Sequence, residues 1–257
     1  MVSSSNKLNS SVPGNSSSPR AFATTSWSVV LKVADSENPS AAQHALAALC
    51  ETYWFPLYSF ARRKGNSPDE SADLTQAFFA FLLEKDSLKR ADQKRGRFRN
   101  FLLTAFANFM NNQWRTQQTQ KRGGGQTAVS IDFDFESAHQ RYSSQPSHEM
   151  TPEKIFERDW AIALLERTMQ HVQKQYEDSG RAKLFVEIKG ALGGHIAPYQ
   201  EIADRLEIQE GAVKVAVHRL RQRYGEQLRL QIAHTIDDPD ETDDELKSLF
   251  SALNLKK

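Results

Sequence analysis

Residues 199–224, YQEIADRLEIQEGAVKVAVHRLRQRY, constrain the fold more than any other stretch, because two short helical periodicities meet there at a tight corner. Ile202, Ala203 and Leu206 give the first helix an apolar stripe, and Leu206-Glu207-Ile208 makes the corner, with Ile208 expected to plug the gap between the helices. Val213, Val217, Leu220 and Tyr224 follow at steps of 4, 3 and 4. On a helical wheel these four fall in one narrow arc, which faces a core. The opposite arc carries Gly211, Val215, His218, Arg219 and Gln222, with Lys214 and Arg221 on its flank. A helix with a small N-terminal end and a basic outer face suits the DNA major groove. The same pattern also fits a helical hairpin whose basic face is merely solvated.

With 257 residues the chain has room for two domains of ordinary size. Its 25% charged and 39% hydrophobic residues fit a soluble globular protein. No apolar run approaches the roughly 20 residues that span a bilayer, and no apolar core of a secretory signal precedes the first domain. A single cysteine, Cys50, excludes an internal disulfide and reads as a core thiol beside Leu46, Leu49 and Tyr53. The expectation is a cytoplasmic protein. The histidines show no metal-ligand spacing, so no metal or other cofactor is expected.

The net charge of +1 conceals a sorted distribution. Between Lys89 and Arg122 nine bases (Lys89, Arg90, Lys94, Arg95, Arg97, Arg99, Arg115, Lys121, Arg122) face one acid, Asp92, for +8. From Asp237 to Lys247 seven acids face one base, for −6. A balanced total made of opposite patches points to a polyanionic partner.

The Ser- and Asn-rich start, 1–25, cannot bury enough apolar surface to fold and reads as a disordered arm. From 26 to 116 the periodicity is helical. Asn38-Pro39 starts one helix, which Pro56 should kink or break. Ser67-Pro68-Asp69-Glu70 combines an N-cap Ser, a Pro at the first position and a Glu three residues after the Ser. The helix it opens carries Leu74, Ala77, Phe78, Phe79, Phe81, Leu82 and Leu83 on more than one face. Such a helix lies deep in a core or is shared with a partner protein. Asp73 and Gln76, one turn apart, mark the outward face of the shared version.

The next helix, Phe98 to Arg115, has two faces. Phe101, Leu102, Ala105, Phe106, Phe109 and Met110 form the apolar one. Thr104, Asn108, Asn111, Asn112 and Arg115 share the other, beside Trp114. Asparagine is a poor choice for a plain solvated helix face, because its side chain competes with the backbone. Amides can hydrogen-bond base edges, and an aromatic can stack on an unpaired base for about 1–3 kcal/mol. With Arg97, Arg99 and Arg122 nearby, this is a candidate nucleic-acid surface. A solvated polar face with a partly buried Trp is the competing reading.

Residues 117–150 lose the periodicity, and Gly123-Gly124-Gly125 reads as a hinge, so this stretch is expected to be a flexible linker. Thr151-Pro152 caps a helix with Ile155, Phe156, Trp160, Leu164, Leu165, Met169 and Val172, and Gly193-Gly194 stops a shorter one. That makes 151–236 a second helical domain containing the helix-turn-helix. Residues 237–257 form an acidic tail, in which Thr242 and Glu245 make a capping box for a final amphipathic helix. The fold class is all-α: two helical domains joined by a flexible linker, the C-terminal one a helix-turn-helix.

In this arrangement the chain resembles the two-domain sigma factors of bacterial RNA polymerase, the extracytoplasmic-function (ECF) type of the sigma-70 superfamily. Asp73-Leu74-Thr75-Gln76-Ala77-Phe78-Phe79 is similar to the family's polymerase-binding helix, which implies that Asp73, Gln76, Phe78 and Phe79 dock on the polymerase clamp. Phe98, Phe101-Leu102, Asn108, Asn112 and Arg115 resemble the promoter-melting helix of sigma region 2, with Phe101 where the family has Trp and Asn112 where it has Asp. The resemblance thus implies a promoter-melting surface of Arg97, Arg99, Thr104, Asn108, Asn112, Trp114, Arg115 and Arg122. Glu201-Ile202-Ala203, Glu210-Gly211-Ala212-Val213-Lys214 and His218-Arg219 resemble the helix-turn-helix of region 4, although Val215 and Ala216 replace polar residues common after the Lys. The motifs occur in the family's order over about 40–120 and 155–235. The 54–58 run Trp-Phe-Pro-Leu-Tyr, the FFAFLLE segment and the acidic tail look most like the sigma-like groups of planctomycete-type bacteria. The implied partners are core RNA polymerase, promoter DNA and an anti-sigma or other regulatory protein, with no membrane and no catalytic residues.

A helix-turn-helix regulator that is not a sigma factor would explain the C-terminal half but not the Asn-and-aromatic face, and no dimerisation segment is evident. An enzyme acting on nucleic acid would need carboxylates or metal ligands clustered beside the basic stretch. Asp69, Glu70 and Asp73 do lie together, but capping and docking account for them.

Overall fold

The computed structural model describes residues 39–83, 97–119, 135–145, 150–233, 235–236 and 238–253. All regular elements among them are helical. In chain order they are α1 (Pro39–Arg63), α2 (Pro68–Leu83), α3 (Phe98–Thr119), α4 (Phe135–Ser143), α5 (Pro152–Asp178), α6 (Ala182–Ile188), α7 (Tyr199–Leu206), α8 (Glu210–Ala233) and α9 (Thr242–Leu253). The arm 1–25, the Gly123–Gly125 hinge and Arg122 lie outside the described residues.

Local start signals act as their chemistry requires. The Ser67 backbone N–H donates to Glu70 Oε2 at 2.8 Å, and the Glu70 N–H donates to Ser67 Oγ at 3.2 Å, which closes the capping box of α2. These bonds also hold the Glu70 carboxyl below its ordinary range. Thr151 Oγ1 accepts from the Lys154 N–H at the head of α5. Pro56, by contrast, neither breaks nor ends α1, which runs on to Arg63. Leu57, Tyr58, Phe60 and Ala61 just beyond it are all buried. Packing of that turn outweighs the one backbone bond a proline forfeits.

Among the described residues two apolar clusters organise the fold. The larger joins α1, α2 and α3 with Ala138 of α4, Phe156, Trp160, Ala161 and Leu164 of α5, Leu228 and Ile232 of α8, and Leu249 and Ala252 of α9. The smaller packs Val172, Tyr176, Phe185, Ile188, Ala191, Ile202, Ala203, Val213, Val217 and Leu220. Helix α5 therefore belongs to both, its first half to the larger and its last turns to the smaller. The boundary expected at residue 151 falls ahead of a helix that runs through both cores. Part of the expected linker is also packed helix. Tyr142 of α4 meets Tyr58 edge-on and lies under the Arg62 guanidinium, and Gln145 donates to both oxygens of Asp159 at 2.8 and 2.9 Å.

Cys50 is buried, and desolvation pushes its thiol up to about 12, so it packs as a small apolar group. Gly190 is required where it stands: a Cβ there would lie 2.0 Å from the His195 carbonyl oxygen, across the turn in which His195 N–H donates back to Gly190 O. Gly194, at φ +78°, turns the chain toward α7.

Candidate nucleic-acid interface

Helix α3 presents the polar face expected of it. Thr104, Asn108, Asn111, Asn112 and Arg115 are exposed, and Trp114 is 60% exposed. Behind them Phe98, Leu102, Phe106, Phe109 and Met110 are buried. The Thr104 hydroxyl donates to the Asn100 carbonyl at 2.8 Å. A solvent-facing indole stands at the edge of a face of amide donors and acceptors, and this set can both stack on a base and read its edge.

The arginines at the head of α3 are placed otherwise. Arg99 is 3% exposed, lies over the Trp160 ring at 4.4 Å and pairs with Glu245 of α9. Burial, reinforced by the neighbouring Arg97 charge, lowers its pKa to about 10. Arg97 is half-buried; its Nε pairs with Glu245 Oε2 at 2.9 Å and its Nη1 donates to Ser248 Oγ at 2.9 Å. The Phe98 N–H donates to the Thr235 carbonyl at 3.2 Å. In this structure α9 holds both arginines: Arg99 is covered and Arg97 only partly open, so the exposed surface expected of Arg97 and Arg99 is not free while that contact lasts. Glu245, expected to close a capping box with Thr242, is wholly buried between them instead. Two guanidinium charges drawn from a segment about 150 residues away outweigh one local backbone bond.

On α2, Asp73 is exposed and Gln76 half-buried, so both can meet a partner. Phe78 and Phe79 are fully buried, which corrects their assignment as docking anchors. Phe78 packs 5.0 Å from Phe106 and 5.5 Å from Phe109 between ring centroids. The two-faced apolar pattern of α2 resolves as core. The aromatic left at its surface is Phe81, 37% exposed and 5.3 Å from Phe109. Its place in the second apolar face was the available signal.

The helix-turn-helix is α7 and α8. Glu207 ends α7 in the left-handed conformation, φ 53°, and Ile208 N–H donates to Ala203 O at 3.0 Å, so the corner is a helix stop built on a non-glycine residue. Ile208 is 41% exposed and does not plug the gap between the helices. Ile202, Val213, Val217 and Leu220 fill it instead. Tyr224 is half-buried, touches both clusters and donates its hydroxyl to Leu165 O at 3.2 Å, and burial raises that phenol to about 12. Gly211, Lys214, Val215, His218, Arg219, Arg221 and Gln222 are all exposed, with Val215 at 48%. Lys214 is tied one turn back to Glu210 at 2.8 Å, a contact that raises its pKa, and Gln222 donates to Glu226 at 2.9 Å. Arg221 donates to the Ala191 carbonyl at 3.1 Å and so braces α8 against the preceding turn.

A helical protein that exposes a helix-turn-helix reader face and, on another helix, an amide-rich face edged by an indole belongs to the nucleic-acid-binding class. The family model of the ECF sigma factor matches residues 40–230, and the chain belongs to that family. It is a sigma factor of transcription initiation and not an enzyme. Among curated proteins and among solved structures nothing matches the chain. No helix among the described residues is long and apolar enough to cross a membrane.

Proposed function

We propose that this sigma factor divides its work among three faces. The Asp73–Gln76 side of α2 docks on core RNA polymerase. The Thr104–Arg115 face of α3 captures bases of the opened promoter. The outer face of α8 lies in the major groove of an upstream promoter element. There Lys214 and Arg219 meet phosphates, and Val215 and His218 lie nearest the base edges. The protein works where the polymerase is, in the cytoplasm.

The observation that carries the opening role is the solvent-facing Trp114, one turn on from Asn111 at the edge of the exposed amide face. Reading duplex DNA needs no such indole. Holding an unpaired base needs both a stacking partner and edge hydrogen bonds, and these offset the few kcal/mol that unstacking costs. Replacing Asn108 and Asn112 together by Ala should leave binding to duplex promoter intact and reduce strand opening by the holoenzyme, read as permanganate reactivity of thymines near the start site. A pre-melted template should restore the lost activity. Normal opening of linear DNA by the double variant, or no rescue on the pre-melted template, would remove the melting role.

For the docking face, Asp73→Ala and Gln76→Ala should each weaken capture of core polymerase while helix content stays constant. Unchanged capture by both variants would reassign that face.

A further inference from the structure

An acidic segment of this chain lies on Arg97 and Arg99 at the head of α3. Asp240, Glu241, Asp243 and Asp244 are exposed around the head of α9, while Glu245 is wholly buried between Arg97 and Arg99. The contact is a composite one. Ser248 accepts from Arg97, the Thr235 carbonyl accepts from the Phe98 N–H, and Leu249 and Ala252 anchor α9 in the large core. Beside the ion pairs a cavity of about 330 Å³ opens, edged by four cations, Arg97, Arg99, Lys154 and Lys247, by one carboxylate, Glu157, and by Trp160. Arg97 keeps 29% of its side-chain surface exposed there.

We propose that the C-terminal segment, 235–253, is an intramolecular competitor for nucleic acid, occupying in cis the phosphate-binding groups at the head of the base-capturing helix. The inference rests on the proposed role of α3. A carboxylate bound by two arginines offers them what a phosphate oxygen would offer, a negatively charged acceptor in hydrogen-bond reach. The exposed acids around it add a negative field that repels a backbone within the screening distance. The cavity gives a phosphate a point of entry at Arg97 before α9 has left. The buried pair also makes the contact sensitive to a single charge. Without the Glu245 carboxylate two like charges stay together in a poorly solvated place, which favours release of the segment.

The test measures binding of a fluorescein-labelled single-stranded oligonucleotide to the full chain as a function of salt. Glu245→Gln should bind more tightly than the unaltered chain. Its log K against log salt should be steeper by about 1.4, the contribution of two phosphates at about 0.7 each. Adding Arg97→Gln and Arg99→Gln to that variant should return the slope to its starting value. An unchanged slope in Glu245→Gln, or a gain that survives loss of both arginines, overturns the proposal. A second reading needs no substitution and decides the matter if the variant folds poorly. In the unaltered chain, saturating oligonucleotide at low salt should speed amide exchange across 242–253, and unchanged protection there overturns the proposal. Capture of core polymerase by the unaltered chain is measured alongside. If capture fails, the sigma-factor reading of the faces fails, whereas normal capture with a flat exchange response removes only the competition.

Discussion

The two cores differ in how far along the chain their members lie. The smaller draws on residues 172–220, and the larger on residues 49–252. The helix-turn-helix is closed mostly by neighbours in sequence, while the unit around α1–α3 is closed by α4, the first half of α5, the end of α8 and the C-terminal helix. This difference explains where sequence reasoning served and where it did not. Every reader-face residue expected on α8 is exposed. Of the residues expected to act on α2 and at the head of α3, Phe78, Phe79 and Arg99 are buried and Arg97 is held by α9.

The separation of the two cores is tested most directly at Trp160, which is fully buried in the larger core although it follows the expected domain boundary. Trp160→Ala should cost about 3–5 kcal/mol, measured by chemical denaturation. Faster amide exchange should appear in α1 and α9 before α7. Exchange that rises only within 172–224 would restore a boundary at 151. Leu220→Ala is the counterpart in the smaller core, where Leu220 is fully buried. It should cost about 2–5 kcal/mol, with the exchange confined to α6, α7 and the first half of α8. Equal loosening of α1 would mean that the two cores unfold as one.

A subtler probe is Asp159, buried where α5 meets α4. Burial raises its carboxyl above the ordinary 3.8, against the opposing bond from Gln145. A carboxyl with a raised folded pKa favours the fold in its protonated form. That stability is therefore fully present below the unfolded value, about 4, and is lost as pH rises through the folded value. Asp159→Asn keeps an acceptor for Gln145 and gains no charge as pH rises. Its stability should fall less than the parent's between acid and neutral pH, in denaturation curves taken across that range. Parallel pH profiles would mean that the Asp159 carboxyl titrates alike in the folded and the unfolded chain.

The smallest effect is expected on the exposed face of α8. Lys214→Ala should flatten the salt dependence of duplex promoter binding by about 0.9 units of slope, one phosphate contact, with fold stability unchanged. His218→Ala should shift base preference in a selection experiment more than overall affinity. If His218→Ala weakens binding equally on all sequences, His218 contacts the backbone.

Much of this protein could be read from its residues alone. The capping box at Ser67–Glu70, the Thr151 cap, the two faces of α3 and the core arc of Val213, Val217 and Leu220 all depend on residues within a few turns of one another. Helical phase then fixes which side each residue takes. Motif order also carried the family, which the match over 40–230 establishes. What phase does not say is what covers a face. Nothing near Arg97 or Arg99 in sequence announces Glu245, and nothing near Pro56 announces the packing that carries α1 through it. The corner at Glu207 takes a left-handed conformation without the glycine that would have signalled it. Local hydrogen bonding and helical period account for most of the helices, for the caps at Ser67 and Thr151, for the two faces of α3 and for the exposed outer face of α8. Packing between distant elements made Phe78 and Phe79 core, turned part of the 117–150 stretch into helix α4, gave α5 to two cores and set Glu245 on Arg97 and Arg99 instead of on its own helix cap. Burial and ion pairing between segments far apart in sequence depend on which surfaces meet, and helical periodicity carries no record of that.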